Sequence, residues 1–523
     1  MAWRALLMQF LEKFENREEM THLKCIVYVR PTEENVIHLC RELRRPHYGE
    51  YHVYFTNIIN RDMLQRIAES DERDVVRRCE EYFGDVHVIS PDAYFLRTAP
   101  TAVGERVTQG ILASLLALKR RPTCVRYQRN SGACQSVAQN VTQGMVKESD
   151  LFHFTHGPCV LLVIDRWADP VTPLLLPWTY QAMVHEYITI DRNLIVLDKG
   201  EDTRALKKRE DNEYVLSSGQ DAFFARQQYA NWGELCVATK EIADAYQATI
   251  DRKEVVMSTG SLDDVKALMQ QVPEVLRVKG TANKHLSIVL DIREKMRRRG
   301  LTDIGQLEQD IACNSSHTEH WRSLVELITA HGRTIPEDVT RVSMIYLLRY
   351  EKNANCNVAR LKELLQSNGV PSTMSERLTL LRDRCGADKR QSTALLFPSD
   401  QPGNPANIFK IVKNAVKGME SETNVYAQHE PLLKKLVAHV GRGVLSPEQY
   451  PVVPDKSAHG TVTEKARELV VFLVGGATYV EAAVVRQINA GGAGLVGGKN
   501  DIDVRVVLGT TDMLNIDGFM KML

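Results

Sequence analysis

The sequence predicts two parallel α/β domains, the second interrupted by a mainly helical insert, and three observations carry that prediction. Short β-rich runs recur at 24–29 (KCIVYV), 51–55 (YHVYF), 86–89 (VHVI), 160–164 (VLLVI) and 194–197 (LIVL), with gaps wide enough for crossover helices. After about residue 215 strand signals become scarce and helical spacing takes over. Strand rhythm returns at 470–474 (VVFLV) and 504–508 (VRVVL). Two strands do not make a stable buried parallel sheet alone, so this pair is expected to join the sheet that holds Val160 to Ile164.

Taken in order, the unbroken apolar run from Val160 to Ile164 reads as a central strand covered on both faces, with Asp165 and Arg166 at its C-terminal edge. In the insert, Trp232, Leu235, Thr239, Ile242 and Tyr246 follow helical spacing, as do Leu262, Val265, Leu268, Met269 and Val272. Ser218 with Asp221, Ser261 with Asp264, and Thr334 with Glu337 each place a side-chain acceptor and an acid three residues apart, as a capping box needs. Residues 262–300 read as two helices joined by VPEVLRVKGTAN, where Pro273 and Gly280 break the register, so a helical hairpin is expected. Its last turn carries Arg297, Arg298 and Arg299 before Gly300; cations there oppose the helix macrodipole, and a partner-binding patch is the other reading. The best candidate for a mobile loop is 391–407 (QSTALLFPSDQPGNPAN), followed by RYQRNSGACQS and KGEDTRALKKREDNE.

Composition narrows the function. The 523 residues include 66 Lys+Arg against 66 Asp+Glu, so net charge gives no warrant for a nucleic-acid or anionic-membrane surface. No apolar run approaches the roughly 18 to 20 residues that cross a bilayer, and acids stand where a signal peptide would be cut, so an intracellular soluble protein is expected. The ten cysteines lie far apart without a CxxC pair and read as reduced, mostly buried thiols.

Chemical motifs are few. Gly492 to Gly497 satisfies G-x-G-x-x-G, but a helix precedes it and a strand follows, the reverse of a dinucleotide fingerprint. Gly475-Gly476 follows a strand and precedes a helix, yet lacks the lysine of a phosphate loop, so a tight structural turn is expected. His153, His156 and Cys159, and separately His317 and His320, have metal-like spacing without a completing partner, and polar packing is the preferred reading. No catalytic residue, metal or cofactor is expected.

The run VLLVIDRWADPVTPLLLPWTYQAMVHEYITIDRNLIVL at 160–197 combines a strand, a D-R pair, a D-P-x-T-P loop and a W-T-Y-Q-A-M-x-x-E helix. Together with QDAFFARQQYANWGEL (220–235), ANKHLSIVLDI (282–292), QLEQDIAC (306–313), MIYLLRYE (344–351), YAQHEPLLKKLV (426–437) and VVFLVGGATYVEA (470–482), it resembles the Sec/Munc (SM) family of syntaxin-binding proteins. Within that family it looks most like the vacuolar-protein-sorting branch, which serves syntaxins of the trans-Golgi and endosomes.

The resemblance implies an arch-shaped three-domain SM fold: domain one at 1–110, domain two at 111–215 and 425–523, and a helical domain three at 216–424 with the hairpin 262–300. Asp165, Arg166, Asp169-Pro170, Pro173 and Trp178 fall on the family's structural signature, and the two prolines stiffen the turn after a buried strand. It also implies a non-enzymatic, cytoplasmic protein, expected as a monomer, that holds a syntaxin-type SNARE and promotes assembly of the SNARE complex in vesicle docking and fusion. It would reach Golgi and endosomal membranes peripherally through its partners and bind no nucleic acid. A syntaxin N-terminal peptide would dock on domain one near Val76, Cys79, Tyr82 and Phe83, read as a helix before strand 86–89; packing on the sheet is the competing role. The hairpin would face SNARE helices through Lys279, Lys284 and Arg293, with a solvated face as the competing role. The alternative from another class is a nucleotide- or metabolite-binding enzyme on a doubly wound sheet.

Overall fold

The structure, a computed structural model, describes residues 19–154, 157–197, 213–259, 262–390, 396–397, 426, 428–454, 466–491 and 504–523, with side chains in these stretches except at 246 and 249–279. Outside them lie Ser261, His156, Gly492 to Gly497, nearly all of 199–213, and the loop 391–407 apart from Leu396 and Phe397.

The first sheet is parallel and three-stranded, ordered β1 (Met20–Val29), β2 (Tyr48–Phe55), β3 (Val76–Glu81). Helices α1 (Glu33–Arg44) and α2 (Arg61–Ser70) make the crossovers, and their first turns are capped by Thr32 and Asn60, whose side chains accept from Asn35 N and Met63 N. Val36, Leu39 and Leu43 of α1 and Ile67 of α2 bury Val27, Tyr51, Val53 and Phe55 on one face of the sheet. Residues 76–83, expected as a helix, are instead the edge strand β3 and its exit. The i, i+3 spacing of Val76, Cys79 and Tyr82 imitates a helix, but Arg77, Arg78 and Glu80 between them are the charges with which an exposed sheet edge is protected.

The larger sheet has six strands: β4 (His87–Ser90), β5 (Ala93–Phe95), β6 (Cys124–Tyr127), β7 (Cys159–Asp165), β10 (Glu468–Val474) and β12 (Arg505–Thr510). Their spatial order is β4-β5-β12-β10-β7-β6, parallel throughout except between β4 and β5. Val471 of β10 stands opposite Leu162 of β7 and Leu508 of β12, so the late strands form the centre of the sheet begun by the early ones. Leu161 and Val163 face the helices α3 (Glu105–Ala117) and α4 (Gly132–Lys147), while Leu162 and Ile164 face the other layer, which is why β7 is apolar from Cys159 to Ile164. That second layer includes α5 (Tyr180–Tyr187), α14 (Leu432–Gly441), α15 (Tyr479–Asn489) and α16 (Ile516–Met520). Two small sheets pair β8 (Leu194–Val196) with β9 (Glu213–Val215), and β11 (Ala477–Thr478) with β13 (Met513–Leu514).

The insert runs from α6 (Ala222–Gln227) through α7 (Trp232–Thr259), α8 (Leu262–Arg299), α9 (Leu301–Cys313), α10 (His317–His331), α11 (Pro336–Tyr350), α12 (Val358–Ser367) and α13 (Ser372–Cys385). Residues 262–299 form one helix, about 57 Å long at 1.5 Å per residue, rather than two. An interior proline loses one hydrogen bond and crowds the carbonyl four residues earlier at a cost of about 3 kcal/mol, and a glycine costs about 1 kcal/mol, yet the helix packs along α7 and runs through both Pro273 and Gly280. The hairpin exists, but α7 is its other arm. Gly300 stops α8 in the left-handed region at φ 62°, and Arg299 pairs with Asp338 at 2.8 Å. Asp221 is itself the N-cap of α6, and α11 begins at Pro336 beyond Thr334. A true capping box joins Thr478 and Glu481 at the start of α15.

Two buried ion clusters lock the parts together. Arg166, after β7, donates from Nη1 to both carboxylate oxygens of Glu481 at 2.9 and 2.7 Å and from Nη2 to the Asp169 carbonyl at 2.7 Å. The Asp169 carboxylate accepts from Thr172 N at 3.0 Å, Thr172 Oγ1 at 2.6 Å and Leu432 N at 3.0 Å. Gly475 approaches so closely, at φ 102°, that a Cβ there would lie 2.6 Å from Arg166 Cβ. The expected tight turn at Gly475-Gly476 is thus filled by the protein's own side chains. In the second cluster Glu308 of α9 accepts from Leu176 N at 2.6 Å and pairs with Arg341 of α11, which also donates to the Leu174 carbonyl at 2.6 Å. Removing one partner of a buried pair leaves a charge without compensation, so Glu481→Leu should lower unfolding free energy by about 3–5 kcal/mol in urea titrations.

Burial also sets an acid limit. His185 is buried and His429 half-buried against Asp169 and Thr172, and loss of hydration pushes both imidazoles down to about 4. Between pH 6.5 and that value the unfolded chain binds protons that the folded chain refuses, so stability should fall with falling pH by about 1.4 kcal/mol per pH unit for each histidine. Denaturation midpoints from pH 7.5 to 4.5 should show this slope, and His429→Gln should flatten it.

Candidate functional site

Two surfaces present unburied apolar groups on rigid elements. The first is the open face of the small sheet. Its strands place Ile26 opposite His52, and Tyr28 opposite Tyr54, on the side away from α1 and α2. Ile26 is 61% exposed and Tyr28 51%, although parallel sheets ordinarily bury both faces. Tyr28 donates to the Gly84 carbonyl at 3.2 Å and meets Tyr82 edge to face at 6.3 Å. A Cβ at Gly84 would lie 2.1 Å from the Tyr28 hydroxyl, so any larger residue there would displace that ring. Beneath it, buried Asp85 anchors Arg30 and Arg106 at 3.0 and 2.9 Å.

The four residues expected to form a groove do not converge. Tyr82, 68% exposed, belongs to this face, whereas Val76 packs toward the α1–α2 core, Phe83 turns toward the core of the larger sheet, and Cys79 is exposed on the edge strand. Ile26 and Tyr28 escaped the sequence reading because KCIVYV carries apolar residues on both faces, so alternation does not separate inward from outward positions.

The second surface is the base of the α7–α8 hairpin. Lys284 does not project to a partner: it is paired with the Asp221 carboxylate and donates to the Val215 carbonyl at 3.2 Å. His285 reaches the same carboxylate at 2.9 Å and Tyr180 at 2.6 Å. Burial raises the Asp221 carboxyl, but hydrogen bonds from His285 and Lys284 outweigh it and hold the group well below the usual carboxylate range. Lys279 lies on α8, its side chain outside the described set. Arg293 is exposed and, with Trp178, Trp232, Met296 and Tyr426, lines a recess of about 260 Å³. Trp178 is buried, stacked on Tyr426 at 4.2 Å and closed over by Gly305. Asp165 accepts from Ser131 Oγ at 2.6 Å and Trp167 N at 3.1 Å, and Pro173 is buried in the turn that follows.

What the charges obscured is an apolar stripe. Leu286, Leu290 and Arg293 follow one another at i, i+4 and i+7 along the solvent side of α8, with Leu290 half exposed, and Val237 of α7 is exposed as well. The signal was present as a second helical period beside the buried Ile288 and Ile292. The remaining motif residues have local partners: His317 meets the Tyr346 hydroxyl at 2.8 Å, and His320 meets Tyr350 at 2.6 Å and Asp310 at 3.1 Å. Among the described residues no group of three or more His, Cys, Asp and Glu is placed to hold a metal ion, and no helix is long and apolar enough to cross a membrane. Lys284→Glu should therefore destabilise the protein by about 3–5 kcal/mol by setting two carboxylates together. Leu290→Asp, on the solvent side, should stay within about 0.5 kcal/mol of the unaltered protein in thermal unfolding.

Comparison with known proteins fits this architecture. The chain is 33% identical over 522 residues to vacuolar protein sorting-associated protein 45 of Dictyostelium discoideum, covering 98% of this chain and 87% of that protein. Against the Homo sapiens protein of the same name it is 32% identical, over 97% and 86% of the two chains. Among solved structures, the SM protein Vps45 in complex with the Qa SNARE Tlg2 superposes with a TM-score of 0.81 at 34% identity, covering 97% of this chain and 87% of that one. Sly1p in complex with an N-terminal peptide of Sed5p shares the fold, at a TM-score of 0.70 and 16% identity. The Sec1 family model matches residues 7–522, so nearly the whole chain takes part in the likeness, and the chain belongs to the Sec1 family.

Proposed function

We propose that this protein binds a syntaxin-type Qa-SNARE and templates SNARE complex assembly in vesicle docking and fusion on the trans-Golgi, endosomal or vacuolar route. The observation that carries this reading is the likeness to an SM protein solved with a Qa SNARE, combined with the solvent-facing Leu286–Leu290–Arg293 stripe on a long helix. A SNARE motif is an amphipathic helix only once it is ordered. A preformed helical track bearing leucines and a cation lowers the entropy lost when that segment orders against it. No bond is made or broken in this mechanism. The open face of the first sheet, around Ile26, Tyr28 and Tyr82, is the surface proposed for the partner's N-terminal peptide. The division into domains at 1–110, 111–215 with 425–523, and 216–424 is part of the same proposal, although β4 and β5 hydrogen-bond within the larger sheet. Membrane residence would follow from the partner, peripherally and from the cytoplasmic side.

The test is a pull-down of Qa-SNARE cytosolic fragments, with and without their N-terminal peptides, followed by assembly kinetics. Leu286→Asp with Leu290→Asp and Arg293→Glu should slow SNARE assembly by about tenfold or more at unchanged thermal midpoint. Tyr82→Ala with Ile26→Asp should weaken capture only of fragments that retain the N-terminal peptide. Failure of every Qa-SNARE fragment to bind would overturn the proposal, and unaltered assembly rates in the triple variant would remove α8 from it.

A further inference from the structure

A separate recess of about 390 Å³ opens at the carboxyl edge of the larger sheet, away from both surfaces above. Its walls follow strand ends: Arg97 comes after β5, Tyr479 after β10 and β11, and Asp512 after β12, while residues 189–193 arrive from the end of α5. In parallel sheets this edge is where ligands are taken, because loops rather than strands supply the side chains. The floor is apolar, formed by Ile89, Phe95, Ile190 and Met513. His87 lies on Phe95 with ring centres 5.2 Å apart and planes 30° from parallel. At the mouth stand Arg97 and Arg192, each about half exposed, which share the single carboxylate of Asp191 at 3.4 and 3.3 Å. Asp512, on the inner wall, accepts from Met513 N at 2.9 Å.

The backbone around this recess is held in a conformation that side chains disfavour. Seven non-glycine residues of the described chain have positive φ, and four of them line it: Arg97 at 51°, Thr189 at 74°, Arg192 at 52° and Asn193 at 64°. Thr189 fills the left-handed position that ends α5, donating to Val184 O at 3.0 Å, where glycine is usual. Arg192 and Asn193 are the central pair of a tight turn closed by Asp191 N to Leu194 O at 2.9 Å and the reverse bond at 2.8 Å. That turn favours Asn-Gly, yet its first central position carries an arginine whose side chain lines the mouth. Strain of this kind persists where the surrounding structure enforces it, and it collects at sites of function.

We propose that this recess is a recognition site for a short extended segment of the Qa-SNARE partner, seating an aromatic side chain on the floor with a neighbouring carboxylate held by Arg97 and Arg192. The assignment rests on the SNARE-binding function proposed above. Two guanidinium groups, each with five donors, engage one carboxylate between them and so retain donors for a second. Burial, together with Arg97, Arg192 and Arg106, lowers the His87 imidazole from its ordinary value, which keeps it an uncharged partner for a ring in stacking with Phe95. The occupant is a chain rather than a small metabolite because the recess borders more exposed apolar side chains than a small molecule would cover: Val88 on its lining is 64% exposed, and the β8–β9 hairpin that follows the 191–194 turn exposes Val196 and Val215.

The experiment uses the full chain and Qa-SNARE cytosolic fragments. With benzoyl-phenylalanine in place of Val88, irradiation should cross-link a partner peptide in which an aromatic residue adjoins Asp or Glu. Arg97→Glu with Arg192→Glu should weaken binding by about tenfold at low salt, with a smaller loss at high salt and no change in thermal midpoint. Val88→Asp, a single change at an exposed position, should weaken binding in the same sense should the double variant fail to fold. Binding of both variants within twofold of the unaltered chain, or a cross-link to a segment without an acid, would overturn the site while leaving SNARE binding intact. Absence of binding by the unaltered chain would overturn the partner itself, and the site with it.

Discussion

Arg166 stands where the two separated stretches of the larger sheet meet, and its buried charge ties the turns after β7 and β10 to the starts of α14 and α15. A guanidinium with 1% of its side chain exposed has lost its water and must be repaid in hydrogen bonds. Glu481, Asp169 and the Gly475-Gly476 turn supply them, and none of these could be moved independently. Glu481 is also the third residue of the capping box that starts α15, so one carboxylate neutralises the arginine and satisfies the first turn of a helix. Asp169 extends the same cluster to α14 through Leu432 N. Three distant portions of sequence are thereby fixed relative to β7 by directed bonds, which a purely apolar core would not specify so narrowly.

The helical insert is seated by the same device. Glu308 and Arg341 grip the Leu174 and Leu176 backbone just after the Arg166 turn, and Asp338 carries the grip to Arg299 at the end of α8. The root of a helix about 57 Å long is therefore fastened to the centre of the larger sheet. Its solvent stripe gains its use from that rigidity, since a template that moved would return the ordering entropy to its guest.

Much of this was legible in the sequence, for identifiable reasons. The discontinuous sheet could be read because β7, β10 and β12 are buried on both faces and thus apolar at almost every position. The helical insert was legible from its 3.6-residue period. Edge strand β3 was not, because charged residues at an exposed edge break the alternation that marks a strand, and the surviving Val76, Cys79 and Tyr82 have helical spacing. Pro273 and Gly280 look like breakers in one dimension, yet α8 runs through both because it is supported along α7. Lys284 was misread for a different reason: a lysine looks solvated in one dimension, and only the fold brings Asp221, sixty-three positions earlier, beside it.

The central strands of the larger sheet, β10 and β12, are the last to be synthesised, while β4, β5, β6 and β7 leave the ribosome some three hundred residues sooner. During translation, therefore, β7 and β5 lack the neighbours that will lie between and beside them, and their apolar faces wait until residue 510 has emerged. The insert has time to fold as a body while its host is still half a sheet. Nascent chains of this protein thus hold apolar strand faces open for most of their synthesis, and a stop codon late in the message removes the middle of the host sheet rather than trimming its end.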